Sequence, residues 1–181
     1  NLSRTPYNKI NIHIGGAYGD KPKSMERFCK NFERLPDRVK TRLTVENDDK
    51  ASMYSVKDLY YGIYKEVGVP IVFDYHHHRF CNGGMSEQEA LEMAMSTWPK
   101  DIVPVVHYSE SRCIEQEDDK IRPQAHSDYV YDFIDNSDFY TNPIHTSCRS
   151  IMNVPFVLEN SMLEEKFISE ASDNGFLNLK G

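Results

Sequence analysis

A chain of 181 residues, 39% hydrophobic with a formal net charge of −7, has room for one domain with a real core, and its acidity argues against non-specific nucleic-acid binding through a broad basic surface. No apolar stretch approaches the roughly 20 residues that span a bilayer, and the start, Asn1-Leu2-Ser3-Arg4-Thr5-Pro6, has no hydrophobic signal region. Cys29, Cys81, Cys113 and Cys148 are scattered without a C-x-x-C pair, so neither a disulfide framework nor a structural zinc site is indicated, and a reducing interior is the simplest home.

In chain order, Lys9 to Ile14 alternates polar and apolar residues like a strand and runs into Gly15-Gly16-Ala17-Tyr18-Gly19-Asp20-Lys21. From Pro22 to about Lys40, Met25, Phe28, Phe32 and Leu35 fall at helical spacing and predict one helix with a single buried face. Arg42 to Glu46 reads as the second strand, closed by Asn47-Asp48-Asp49. Ser55 is placed to cap a helix carrying Val56, Leu59, Ile63 and Val67, and Gly68 to end it. Val69 to Asp74 reads as a strand buried on both faces that ends in one carboxylate and then His76-His77-His78. The plain alternative for that triplet is a surface histidine cluster without a ligand role. After the Gly83-Gly84 loop, Ser86 caps a helix whose inner face is Ala90, Leu91, Ala94 and Trp98, the tryptophan reading as core. Ile102 to His107 is the fourth strand.

Beyond that the rhythm loosens. Tyr108 to Gln124, with its charged run Glu115 to Lys120, reads as a solvated loop; His126 to Ile134 is open between strand and helix, and Asn136 to Arg149 reads as another loop. Pro155 to Glu159 is a last strand, and Ser161 starts a helix through Met162, Leu163, Phe167 and Ile168.

Strands alternating with amphipathic helices give parallel β/α units. The five strands end at His13, Glu46, Asp74, His107 and Glu159, each a side chain able to hold a metal ion. Taken singly, each has an ordinary structural reading, as a half-buried histidine or a carboxylate beside a helix start. A ligand at nearly every strand end suits a closed barrel, where all carboxyl ends face one bowl, better than a doubly wound sheet. The fold expected is therefore an α/β TIM (β/α)8-type barrel in one domain over residues 1–181. Five or six β/α units cannot close it alone, and the chain, which lacks an initiator Met, reads as the carboxyl-terminal portion of something longer. Carboxylates mixed with imidazoles, without thiolate, favour Mn²⁺, Zn²⁺ or Fe²⁺. Several such ions together suit phosphoryl transfer.

The runs Ile10 to Lys21, Leu43 to Asp49, Val72 to His78 and His107-Tyr108-Ser109 closely resemble the ultraviolet damage endonuclease family, from roughly Lys9 to Met162. That resemblance implies a manganese-containing barrel enzyme that acts on damaged double-stranded DNA and cuts 5′ to ultraviolet photoproducts. No obligate protein partner is expected, and the place of action is intracellular, cytoplasmic in a bacterium or nuclear in a eukaryote. It further implies that His13 ligates the first of two or three ions and that Glu46 bridges the first and second. Asp74, His107 and Glu159 would complete the second site, and His77 and His126 would belong to the third. Glu46, Asp74, His107 and Glu159 are the expected catalytic set. His76 and His78 gain no ligand role and are expected to be supporting or exposed. Tyr18, Lys21 and Arg112 are candidate DNA contacts, Arg112 through its fork of donors.

Two departures accompany the resemblance. Val105 stands where the family has a metal-closing lysine, and the amino-terminal part of the family's barrel, with a further metal histidine and the residues that read the lesion, is missing. A sugar isomerase or epimerase on a xylose isomerase-like barrel and a non-catalytic DNA-binding remnant are the alternatives.

Overall fold

The computed structural model describes residues 8–100, 102, 104–128 and 156–158. The chain divides into two compact units, 1–107 and 108–181.

In the first unit, strand β1 (Ile10–Ile12) leads through the glycine loop to helix α1 (Lys21–Glu33). Asp20 caps α1, its carboxylate accepting the Lys23 N–H at 3.0 Å. The single helix expected as far as Lys40 is two, because α1 stops at Glu33 and α2 (Asp37–Lys40) begins after Pro36. Pro36 has no N–H to continue the ladder, and its extended backbone serves as the N-cap of α2.

Strand β2 (Leu43–Glu46) is buried along its whole length. Ser55 and Asp58 then form a reciprocal capping box at the start of α3 (Val56–Leu59). That helix passes through a π turn, Tyr60–Tyr64, into α4 (Lys65–Val67), and Gly68 ends it at φ 70°. Strand β3 (Ile71–Asp74) follows, then the short helix α5 (Tyr75–His78). Helix α6 (Glu87–Met95) is capped by Ser86 with Glu89, and strand β4 (Val106–Tyr108) crosses into the second unit.

The strands of the first unit are parallel and lie in the order β1-β2-β3-β4, with Ile12 opposite Val45, Glu46 opposite Val72 and Asp74 opposite His107. This register sets the carboxyl ends side by side, so residues far apart in sequence become neighbours at one rim. Helices between successive parallel strands make the unit a TIM-barrel-like α/β arrangement. Val45, Leu59, Ile63, Ile71, Phe73 and Leu91 form its buried centre, each such side chain worth about 1.5–3 kcal/mol when fully buried. β4 is shorter than expected: Ile102 and Val105 instead pack with Val72 and Trp98 in a buried cluster. Trp98 is a core residue, as anticipated, and its indole N–H donates to the Ile71 carbonyl at 2.7 Å.

In the second unit the stretch read as a solvated loop contains a helical turn, α7 (Arg112–Glu115), and Phe156–Leu158 forms strand β5 where a last strand was expected. The segments Tyr129 to Ile134, Asn136 to Arg149 and the helix expected from Ser161 lie outside the described residues. Among the described residues no helix is long and apolar enough to cross a membrane.

Candidate metal centre

Glu46, the last residue of β2, is only 3% exposed and is surrounded by imidazoles. Its Oε2 lies 3.2 Å from His107 Nδ1, and its Oε1 lies 3.4 Å from His77 Nδ1 and 3.9 Å from His13 Nε2. Oε1 is buried and accepts no hydrogen bond among the described residues. Oε2, by contrast, accepts the side-chain amide of Asn11, whose own oxygen takes the Thr44 hydroxyl at 3.1 Å. The carboxylate is thus steered by one oxygen and left open at the other.

His13 follows β1, half exposed, with its Nδ1 3.2 Å from Asp48 Oδ1. An ionised carboxylate only accepts, so this contact suits a proton on Nδ1, with Nε2 3.9 Å from Glu46 Oε1. Asp74 ends β3 fully buried, its Oδ1 accepting the backbone N–H of His77 at 2.7 Å. That bond starts α5, which is why three consecutive histidines curl inward. His76, His77 and His78 are all buried, so the surface-cluster alternative fails and His76 and His78 are not exposed. Burial pushes the His78 imidazole below its ordinary range, against a raising hydrogen bond to the Met85 backbone.

Two groups of possible ligand atoms share Glu46: His13, Glu46 and His77, and Glu46, Asp74 and His107, each within 4.8 Å. Glu46, Asp74 and Asp48 are three buried carboxylates, and such charges are costly to bury without a cation. A divalent ion suits this donor set, with a shared carboxylate, imidazoles and a buried oxygen still open.

His126 lies in the second unit, where Ser109 Oγ makes a short hydrogen bond to its Nδ1 and Ser111 pairs with it in an antiparallel bridge. Glu159 lies outside the described residues. Tyr18 is 84% exposed with φ 50°, and the Arg27 guanidinium sits 5.5 Å from its ring centre. A Cβ on Gly16 would come within 3.1 Å of that ring, a contact that the exposed tyrosine relieves by moving a few tenths of an ångström. Lys21 pairs with Asp58 at 3.1 Å, and Arg112 with Asp128 at 2.7 Å. Asn11, Asn47 and Asp48 were not among the residues expected at the site; an amide and an acid directly after a buried strand end were the available signal for the last two.

Parallel strands with imidazoles and carboxylates gathered at their carboxyl ends define a TIM-barrel-like α/β protein with a candidate metal centre. The UV-endonuclease UvdE family matches residues 1–154, and the chain belongs to that family. It is 43% identical to the UV DNA damage endonuclease of Bacillus mycoides (strain KBAB4) over 124 residues, 67% of this chain and 36% of that one. The enzyme of the same name from Bacillus anthracis is 34% identical over 169 residues, 90% of this chain and 48% of the relative. A solved structure titled "Crystal Structure of SacUVDE" superposes with a TM-score of 0.69 at 29% identity, covering 93% of this chain and 53% of that chain. The chain therefore spans about half the length of such relatives, or less.

Proposed function

We propose that this chain carries the metal centre of a DNA repair endonuclease that nicks the phosphodiester backbone 5′ to ultraviolet photoproducts. The observation that carries the reading is Glu46 standing between two groups of ligand-type atoms with one buried oxygen open. Glu46, Asp74 and His107 would hold one ion and His13, Glu46 and His77 another, with His126 and Glu159 as the remaining proposed ligands. The mixture of imidazole and carboxylate favours Mn²⁺, with Zn²⁺ the nearest competitor. A divalent ion supplies positive charge to a phosphodiester and acidifies water near neutral pH.

The protein's own part is to hold those donors fixed. Asp48 keeps the His13 proton on Nδ1, and Asn11 with His107 confines Oε2 of Glu46. Tyr18 is the exposed aromatic at the end of β1 and is the proposed face for a displaced base, since unstacking costs less where a lesion has weakened the duplex. Lys21 and Arg112 can contact the backbone by exchanging Asp58 and Asp128 for phosphate.

The chain is incubated with irradiated and untreated plasmid, with Mn²⁺ and with chelator. Nicking confined to irradiated DNA and abolished by chelator is expected, with end mapping placing the cut 5′ to the lesion; equal nicking of both plasmids rejects the reading. One observation favours a second reading, a non-catalytic DNA-binding remnant. Val105 is built into the hydrophobic cluster with Val72, Trp98 and Ile102 and offers no ligand. Binding of irradiated DNA without any nicking would select it.

A further inference from the structure

We propose that Asn47 is the positioning residue of this centre, fixing Asp74 and the tautomer of His77 in one act; the inference rests on the metal-centre reading above. Asn47 is completely buried at the point where β2 has ended. The β2–β3 ladder ends with Glu46 opposite Val72, two residues short of Asp74. The Asn47 side chain takes the ladder's place. Its Oδ1 accepts the Asp74 N–H at 2.8 Å and its Nδ2 donates to the Asp74 carbonyl at 3.0 Å. A donor and an acceptor on one planar group reproduce what a further strand residue would have offered. The partners also fix which end of the amide is oxygen, because an N–H must meet an acceptor and a carbonyl a donor.

The main chain of the same residue meets His77. The Asn47 carbonyl lies 2.8 Å from His77 Nδ1. A carbonyl oxygen has no proton to give, so Nδ1 must carry one, and the neutral ring then presents its lone pair at Nε2. The nearby Glu46 Oε1, 3.4 Å from that same Nδ1, is left for a cation. Two ligands from β3 and α5 are thereby held by one residue that touches neither ligand atom. Replacing Asn47 with Asp keeps the shape, removes the donor to the Asp74 carbonyl and sets oxygen against oxygen. Replacing it with Ala removes the side chain that meets both Asp74 main-chain groups but keeps the carbonyl facing His77 Nδ1, so a change at the ring reports movement of the backbone that Asn47 holds.

The test is made on the full 181-residue chain. Ring ¹⁵N spectra of the metal-free wild type, at a pH where imidazoles are neutral, are expected to show His77 protonated at Nδ1. Asn47→Ala and Asn47→Asp are expected to shift the ring toward a mixture of tautomers and to weaken Mn²⁺ binding about 10- to 100-fold by titration calorimetry. A wild-type His77 protonated at Nε2 overturns the proposal whether or not either variant folds. Folded variants with unchanged tautomer and unchanged affinity overturn it too. Wild type that takes up no Mn²⁺ while keeping the Nδ1 proton counts against the metal reading alone.

Discussion

Glu46 is the one side chain common to both ligand groups, so its charge should matter more than its shape. Glu46→Gln keeps the volume and the Asn11 contact region but removes the negative charge; the expected result is an at least tenfold loss of Mn²⁺ affinity by calorimetry, with far-UV circular dichroism unchanged. Val105 makes the opposite case. The family resemblance marks it as a missing ligand, and its surroundings, Val72, Trp98 and Ile102, make it a piece of core. Val105→Lys therefore buries an unpaired ammonium and should lower stability by on the order of 3 kcal/mol in urea unfolding, and a gain in stability would refute the packing assignment. The cysteines separate by environment in the same way. Burial pushes the Cys81 thiol up to about 11, so at pH 8 only about one in a thousand is thiolate, while Cys113 is more accessible. Iodoacetamide at that pH should modify Cys113 well before Cys81, as read by peptide mass spectrometry.

At the level of elements, the helix starts were the most readable feature, because Ser55 and Ser86 announce themselves by a hydroxyl with an acid three residues on. Strand ends were readable as positions but not as surroundings. Nothing in the spacing says that Asn47 turns inward to pair with Asp74, since that depends on where β3 ends relative to β2. The break at Pro36 was legible in principle, but the apolar periodicity on either side of it masked the stop. The α3 cap gives a pH test. Burial alone would raise the Asp58 carboxyl, but hydrogen bonds from Ser55 and Lys21 outweigh it and hold the group below its usual range. A folded-state value below the unfolded one adds stability above about pH 4, and that contribution is lost as pH falls through the folded value. Asp58→Asn should therefore destabilise the protein by about 1 kcal/mol at pH 7, and the gap to wild type should close in urea titrations below about pH 4.

For the whole molecule, alternation of strands and helices was enough to identify parallel β/α units, and four of the five proposed strand-end residues fall within the described part of the chain. Three of them, His13, Glu46 and Asp74, stand at or beside the strand ends expected, while His107 lies inside β4. How many ions gather there depends on distances that no spacing encodes. An ion bound only by the folded chain stabilises all of it: at a hundred times its dissociation constant the gain is about 2.7 kcal/mol, or roughly 5–10 °C in melting temperature for a chain of this size. Differential scanning calorimetry should show that rise with Mn²⁺ and its reversal with chelator; a melting temperature indifferent to both would mean that the centre is filled by nothing, or equally in the unfolded chain.

The wide turn at Tyr60–Tyr64 sits between two fixed ends, the Ser55 cap and the left-handed Gly68, and a Cβ on Gly62 would come within 2.3 Å of the Met25 sulfur. Such a turn absorbs one surplus residue without moving either end. Excising one residue there would return the coil to a regular α-helical ladder while leaving Lys65 to Val67 on their present face and the lead-in to β3 in place. The two ends of this segment are thus more tightly prescribed than its length, and a chain shortened by one residue within the turn should keep both the Ser55 cap and the Gly68 stop.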